Sequence, residues 1–279
     1  MTVLIGILVV FGCVIGGFLV SKGNLLVLLQ PAEFMVIGGA AIGALIIGTP
    51  MHTIKQIGAS IKASFSGKSG GAKIYMELLR VLYSFSSLVR KEGILALEKH
   101  IETPEESEVF KSIAYNNNLV AYLCDSLRLV VLGITPEELL EMLDADLETR
   151  EAESHQPGDA LNTTADSLPG LGIVAAVLGI IITMNSIGGE AAMVGKHVAA
   201  ALVGTFLGVL LCYGLVGPLA NVVKYERHID LMLLKVARSG VISLSLGTNP
   251  LMVCEAARRS IPEAYRPEFK VMEDTLRGK

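Results

Sequence analysis

Residues 168–189 read LPGLGIVAAVLGIIITMNSIGG, and residues 198–223 read VAAALVGTFLGVLLCYGLVGPLANVV. Neither run holds an Asp, Glu, Lys, Arg or His. A helix of about 20 predominantly apolar residues crosses the hydrocarbon of a bilayer, so both runs are long enough to span it, joined by one short polar loop. Lipid would accept Leu throughout, yet the first run carries Gly170, Gly172, Ala175, Ala176 and Gly179, and the second Gly204, Gly208, Gly214 and Gly217. Small residues let helix backbones approach closely. The hairpin over residues 167–223 is therefore expected to pack against other protein and to line something.

Outward from this hairpin, two more apolar runs, residues 3–20 and 34–51, bring the spans to four. The first has the length of a signal peptide, but no Lys or Arg precedes it and a second span follows closely, so a retained helix is expected. Lys55, Lys62 and Lys68 follow the second span, and Lys224, Arg227, Lys235 and Arg238 follow the fourth, whereas the opposite side has only Lys22 and Lys196. Basic residues near span ends stay in the cytoplasm. Residues 52–166 and the tail from 224 are thus expected inside, with both termini, and residues 21–33 and 190–197 outside. The expected fold is all-α, a four-transmembrane-helix membrane protein with a large helical cytoplasmic domain. It divides into residues 1–51, 52–166, 167–223 and 224–279.

The polar segments read as helices with identifiable breaks. Ser66-Gly67-Lys68-Ser69-Gly70-Gly71 marks a break. It lacks the leading spacing of a phosphate-binding loop, and no strand precedes it. Residues 74–101 repeat apolar side chains at a helical period, interrupted near Gly93, with Arg90, Lys91, Glu92, Glu98 and Lys99 on the polar face. If helix continues through Gly93, Arg90 and Glu98 lie two turns apart on nearly one face; on spacing alone they read as a solvated charged surface. Two Thr-Pro-Glu-Glu tetrads, residues 103–106 and 135–138, each read as a helix start, with Thr as N-cap, Pro first and Glu reaching back. Residues 119–132 read as a helix ending at Gly133, and residues 139–153 as an acidic helix broken by residues 154–159. The tail continues helically from the fourth span, punctuated at Gly240 and at Gly247-Thr248-Asn249-Pro250, before a final helix pair split by Pro262.

Chemistry is sparse. No histidine pair or cysteine pair has metal-ligand spacing, and no nucleophile elbow, nucleotide loop or dinucleotide fingerprint is present. The pattern points away from an enzyme and calls for no cofactor. Cys13, Cys124, Cys212 and Cys254 read as structural thiols, and no basic stripe interleaved with aromatics offers a nucleic-acid surface. GxxxG spacings at Gly12/Gly16, Gly39/Gly43 and Gly204/Gly208 favour a tight bundle. The spans as bounded above contain no carboxylate, only groups such as Thr183, Asn185, Ser186, Thr205 and Tyr213. Ion movement across a bilayer normally needs a liganding or titratable group within it, so a partner helix would have to supply one. The competing reading of Thr205 is a hydroxyl bonded back to its own helix. Pro169 at the start of the third span is ordinary for a helix N-terminus; Pro218, followed by more apolar helix, is not.

Ala201-Leu202-Val203-Gly204-Thr205-Phe206-Leu207-Gly208, continuing to Pro218, resembles the signature of the flagellar stator MotA family. Asp166-Ser167-Leu168-Pro169-Gly170-Leu171-Gly172-Ile173-Val174-Ala175-Ala176 and Gln30-Pro31-Ala32-Glu33 support it, and the likeness covers essentially the full chain. The resemblance implies a homo-oligomeric ring in the lipid of the bacterial inner membrane, around a MotB-like single-span partner whose aspartate carries the ion. It implies an ion path with Pro169, Ala176, Thr205 and Pro218, and a charged pair, Arg90 and Glu98, that engages the rotor's switch-ring protein. Sodium-driven relatives usually have a threonine where Ala176 stands, so the ion implied is the proton. Protonation of the partner would shift the packing of the third and fourth spans and move the charged face against the rotor. The other readings are a TolQ/ExbB-type energy-transducing subunit, whose relatives typically have three spans, and a structural scaffold that conducts nothing.

Overall fold

A computed structural model describes residues 2–66, 71–184 and 191–278. Gly67, Lys68, Ser69 and Gly70 of the glycine-serine cluster, and Asn185 and Ser186, lie outside the described residues. The helices are α1 (Thr2–Val20), α2 (Leu25–Leu28), α3 (Pro31–Gly48), α4 (Met51–Ser66), α5 (Ala72–Glu92), α6 (Glu98–Glu102), α7 (Asn117–Val131), α8 (Pro136–Met184), α9 (Ala191–Leu211), α10 (Gly217–Ser245), α11 (Pro250–Arg259) and α12 (Phe269–Arg277). Short 3₁₀ turns stand at Ile94–Leu97 and Glu263–Tyr265, and one π-helical turn at Cys212–Val216. Among the described residues, four helical stretches have the length and composition to cross a membrane: Thr2–Val20, Leu25–Gly48, Pro136–Met184 and Val198–Ser245. The all-α, four-span expectation holds.

The chain divides into two compact units, Met1–Lys68 with Ser154–Arg227, and Ser69–Glu153 with His228–Lys279. Helices α8 and α10 contribute to both. In the second unit, Tyr75, Leu78, Leu79, Leu82 and Phe85 of α5 form the spine of a core completed by Leu123 and Leu127 of α7, Leu139 and Leu143 of α8, Leu234 and Val241 of α10, and Val253 and Cys254 of α11. Each such side chain contributes about 1.5–3 kcal/mol through burial. On the outside of this core, Arg238 of α10 donates to Asp144 of α8 at 2.6 Å and Lys235 to Glu151 at 2.9 Å, so the acidic face of α8 meets the basic face of α10. Burial pushes the Cys124 thiol up to about 11 and the Cys254 thiol to about 12, which keeps both protonated and unreactive. The first unit has a smaller core, Ile37, Ala41, Ala165, Leu168, Ala175, Val203 and Leu207, and a second cluster of Ile57, Leu161, Ala220 and Val223.

Three expectations about helix boundaries are corrected. Residues 154–159 do not break the acidic helix: α8 runs through Pro157 and on through Pro169 for 49 residues. Interior proline costs about 3 kcal/mol, and the burial of Leu161 with Ile57, Ala220 and Val223 just beyond it offsets that cost, while Lys224 of α10 lies across Gly158 and pairs with Asp159 at 2.8 Å. The first Thr-Pro-Glu-Glu tetrad starts no helix. Thr103 ends α6, its hydroxyl donating back to the Lys99 carbonyl, and turns follow. The second tetrad is the expected capping box: the Glu138 N–H donates to Thr135 Oγ1, and the Thr135 N–H to Glu138 Oε2, both at 3.3 Å. Gly240 does not punctuate α10, because it lies inside the helix where the Leu82 side chain fills the space of a Cβ.

Candidate functional site

The hairpin is built on glycine. A Cβ at Gly172 of α8 would lie 2.8 Å from the Gly204 carbonyl oxygen, 3.2 Å from Gly208 Cα and 3.3 Å from Thr205 Cα. A Cβ at Gly208 of α9 would lie 2.5 Å from the Leu168 carbonyl oxygen and 3.0 Å from Gly172 Cα. Two turns further along α8, Gly179 faces Ala201. Positions 168, 172, 175 and 179 form one stripe of α8, and it meets the 201, 204, 208 stripe of α9 backbone to backbone. Gly12, Gly16, Gly39 and Gly43 have nothing within 4 Å of where a Cβ would stand. The close packing expected of three GxxxG pairs is made within the chain by the Gly204/Gly208 pair, while the other two leave their small faces open.

The ion-path residues implied by the resemblance fall around this crossing. Pro169, Gly172 and Ala176 share one side of α8, and Gly172 meets Thr205 directly. Pro169 is inside α8, not at a helix start, so its ring removes a backbone donor in mid-helix. Among the described residues the Thr205 hydroxyl makes no hydrogen bond, whereas Thr183, 2% exposed, donates back to the Gly179 carbonyl at 2.8 Å. Back-bonding, the plain reading of Thr205, describes Thr183 instead. Pro218 sits just past the π turn, in which the Gly217 N–H reaches the Cys212 carbonyl. The extra residue turns the face presented by α10 by roughly 100° relative to α9. A Cβ at Gly217 would stand 2.9 Å from that carbonyl, and one at Gly214 would stand 2.9 Å from Val10 of α1. Glycine at both positions admits the bulge and the helix beside it.

Glu33 corrects the view that the spans hold no carboxylate. Helix α3 begins at Pro31, so Glu33 stands in its first turn, within the second span. It is 8% exposed, and its Oε2 is enclosed without a hydrogen bond. A Cβ at Gly204 would lie 2.6 Å from that oxygen. A boundary placed at the first continuously apolar residue misses it, whereas Pro31 as a helix-starting proline was the available signal.

In the second unit, Arg90 stands in the last turn of α5 and Glu98 starts α6, both exposed. Gly93 adopts φ +88°, a left-handed conformation that stops the helix while its N–H still caps Val89 at 2.9 Å. The condition for placing Arg90 and Glu98 on one continuous helical face is therefore not met. Arg90 instead borders a recess with Ser86, Val89, Leu244, Thr248 and Asn249.

Comparison with known proteins shows two family matches, Motility protein A N-terminal over residues 4–93 and the MotA/TolQ/ExbB proton channel family over residues 114–233. The chain is 37% identical to Chemotaxis protein LafT of Vibrio parahaemolyticus over 276 residues, 98% of this chain and 97% of that one. It is also 37% identical to Motility protein A of Salmonella typhimurium over 282 residues, 100% of this chain and 96% of the relative. Among solved structures, the flagellar MotAB stator complex from Bacillus subtilis aligns with a TM-score of 0.72 at 25% identity, covering 97% of each chain. C. jejuni MotAB aligns with 0.77 at 19% identity, covering 94% of this chain and 96% of that one, which bears on the fold alone.

Proposed function

The chain belongs to the MotA/TolQ/ExbB proton channel family, and from that premise we propose that it is the ion-conducting stator subunit of a bacterial flagellar motor, coupling inward proton flow to torque. The observation that carries this reading is identity with motility proteins along the full chain, including a match to the Motility protein A N-terminal family over the first two spans. That N-terminal match, with four spans, favours a motility stator over a TolQ/ExbB-type subunit.

In this reading the chain is a multi-pass protein of the inner membrane with both termini in the cytoplasm. Copies form a ring around a MotB-like single-span partner, whose aspartate takes the proton. The α8–α9 hairpin faces that partner. Gly172, Gly204 and Gly208 hold the two helices at fixed spacing, Thr205 offers a free hydroxyl, and Pro169 and Pro218 mark where backbone hydrogen bonding is interrupted. Ala176 leaves an apolar surface where a cation-liganding hydroxyl would otherwise stand, which supports the proton as the ion. One charge crossing 100 mV supplies about 2.3 kcal/mol, enough to shift a two-state packing at the proline breaks but not to unfold a helix. Helices α8 and α10 continue without interruption from the apolar unit into the polar one, and this continuity supports transmission of the shift. Arg90 and Glu98 meet the rotor's switch-ring protein as exposed charges.

The test is complementation. A bacterium lacking its stator genes, given this chain with its single-span partner, regains swimming, and given the chain alone it does not. Failure of the pair to restore motility, with both proteins present in the membrane and the rotor intact, overturns the proposal.

A further inference from the structure

The carboxyl of Glu33 has no structural task that the fold leaves for it. A glutamate at the third position of a helix commonly reaches back to the N-cap N–H, but here the Gln30 N–H already donates to the Leu28 carbonyl at 3.1 Å. No ion pair engages it among the described residues. Helices α1 and α2 and the span portions of α3 and α8 bring no other charged residue near it, and α9 carries only Lys196 and His197, at its outer end. Gly204 of α9 lies against its carboxyl, and Ala175 of α8 packs beside that glycine. Gly204 matters through its missing Cβ, whose space the carboxyl occupies. An ionisable group enclosed without a partner costs several kcal/mol. Such groups inside a membrane mark ion paths and proton relays. The position also fits: Glu33 closes the segment expected to face outward and stands in the first turn of α3, and its oxygen rests on the residue next to Thr205.

We propose that Glu33 is a proton-binding station of the ion path, supplied by this chain itself on the outer side of the partner's acceptor. An O–H bond of a hydronium ion in the outer water breaks as an O–H bond forms on the Glu33 carboxylate, and water is released. That O–H bond then breaks as the proton passes inward to the carboxylate of the partner. The station rests on the channel reading above and adds a second titrating group to it.

The experiment co-expresses the chain with a partner from which the segment that plugs the channel is deleted, and follows acidification of the cytoplasm at external pH values from about 5 to about 8. E33Q keeps the size and shape of the side chain and removes the titration. It is expected to lower the flux at least about tenfold and to flatten its dependence on external pH, with the amount and melting temperature of the assembled complex unchanged. E33D, which keeps a carboxyl, is expected to restore the pH dependence. A flux and pH profile for E33Q equal to those of the unsubstituted pair overturn the station, as does a loss proportional to a fall in assembled complex with the profile intact. Absence of flux from the unsubstituted pair overturns the channel reading itself, a result the E33Q comparison cannot produce.

Discussion

Replacing Gly208 by alanine inserts one methyl group where α8 and α9 touch backbone to backbone. The new Cβ would stand 2.5 Å from the Leu168 carbonyl oxygen and 3.0 Å from Gly172 Cα, against an ordinary contact distance that begins near 3.4 Å. The helices must part locally by about 0.9 Å, the difference between 3.4 and 2.5, because both obstacles are backbone and cannot rotate away. Overpacking of this kind costs about 1–3 kcal/mol, and the gain from replacing glycine in a helix returns roughly 0.5–1 kcal/mol. The balance is a loss of about 0–2.5 kcal/mol, centred near 1. At this chain length a loss of that central size lowers the melting temperature of the purified complex by roughly 2–4 °C. Because the same contact fixes Thr205 against Gly172, proton flux through the unplugged pair is expected to fall more steeply than stability. G39A, at a glycine with nothing within 4 Å of its Cβ position, is the control for the chain's own packing. Unchanged melting and unchanged flux for G208A would refute the claim that this crossing sets the geometry of the path.

Two further perturbations probe the second unit. Exposed charge pairs are worth under about 1 kcal/mol each, so R90A or E98Q alone is expected to slow rotation modestly in a tethered-cell assay. Reversing both charges should abolish rotation until the facing rotor charges are reversed as well, and lack of rescue would count against an electrostatic contact. Glu255 is held below the usual carboxylate range by hydrogen bonds from the Arg258 and then the Arg259 guanidinium, against the opposing effect of burial. A lowered carboxyl value stabilises the folded state above the ordinary value of 4.5 and loses that contribution as pH falls through the lowered one. Melting of the complex followed from neutral to acid pH should therefore show E255Q destabilised near neutrality, with the gap to the unsubstituted protein narrowing below 4.5. A constant gap would place the effect in packing.

Much of this architecture was legible because bilayer length and glycine spacing are strong, local signals. The four spans, the α8–α9 hairpin, the end of α7 near Gly133 and the second capping box all follow from residue patterns a few positions wide. What escaped was decided by contacts distant in sequence. Pro157 reads as a helix break, and only contacts from distant segments show why α8 continues: Leu161 is buried with Ile57, Ala220 and Val223, and Lys224 lies over Gly158 and pairs with Asp159. Gly240 reads as punctuation until Leu82 is found in its place. The two Thr-Pro-Glu-Glu tetrads are identical in sequence, yet one caps α8 and the other follows α6, because the chain after Thr103 folds into turns around the buried Phe110 and Ile113. At the site, Pro218 was recognisable as unusual, but the π turn that precedes it depends on Gly217 and the Cys212 carbonyl. Glu33 was missed because hydropathy places a boundary where charge ends, whereas its burial is set by Gly204, 171 positions further along the chain.

The ion dependence of rotation tests the central claim most directly. Cells carrying this chain with its partner are tethered, and their speed is followed while a protonophore collapses the proton gradient with the sodium gradient left intact, and again in sodium-free medium. A proton-driven stator stops in the first condition and runs at full speed in the second. Rotation that survives the protonophore and fails without sodium would contradict it.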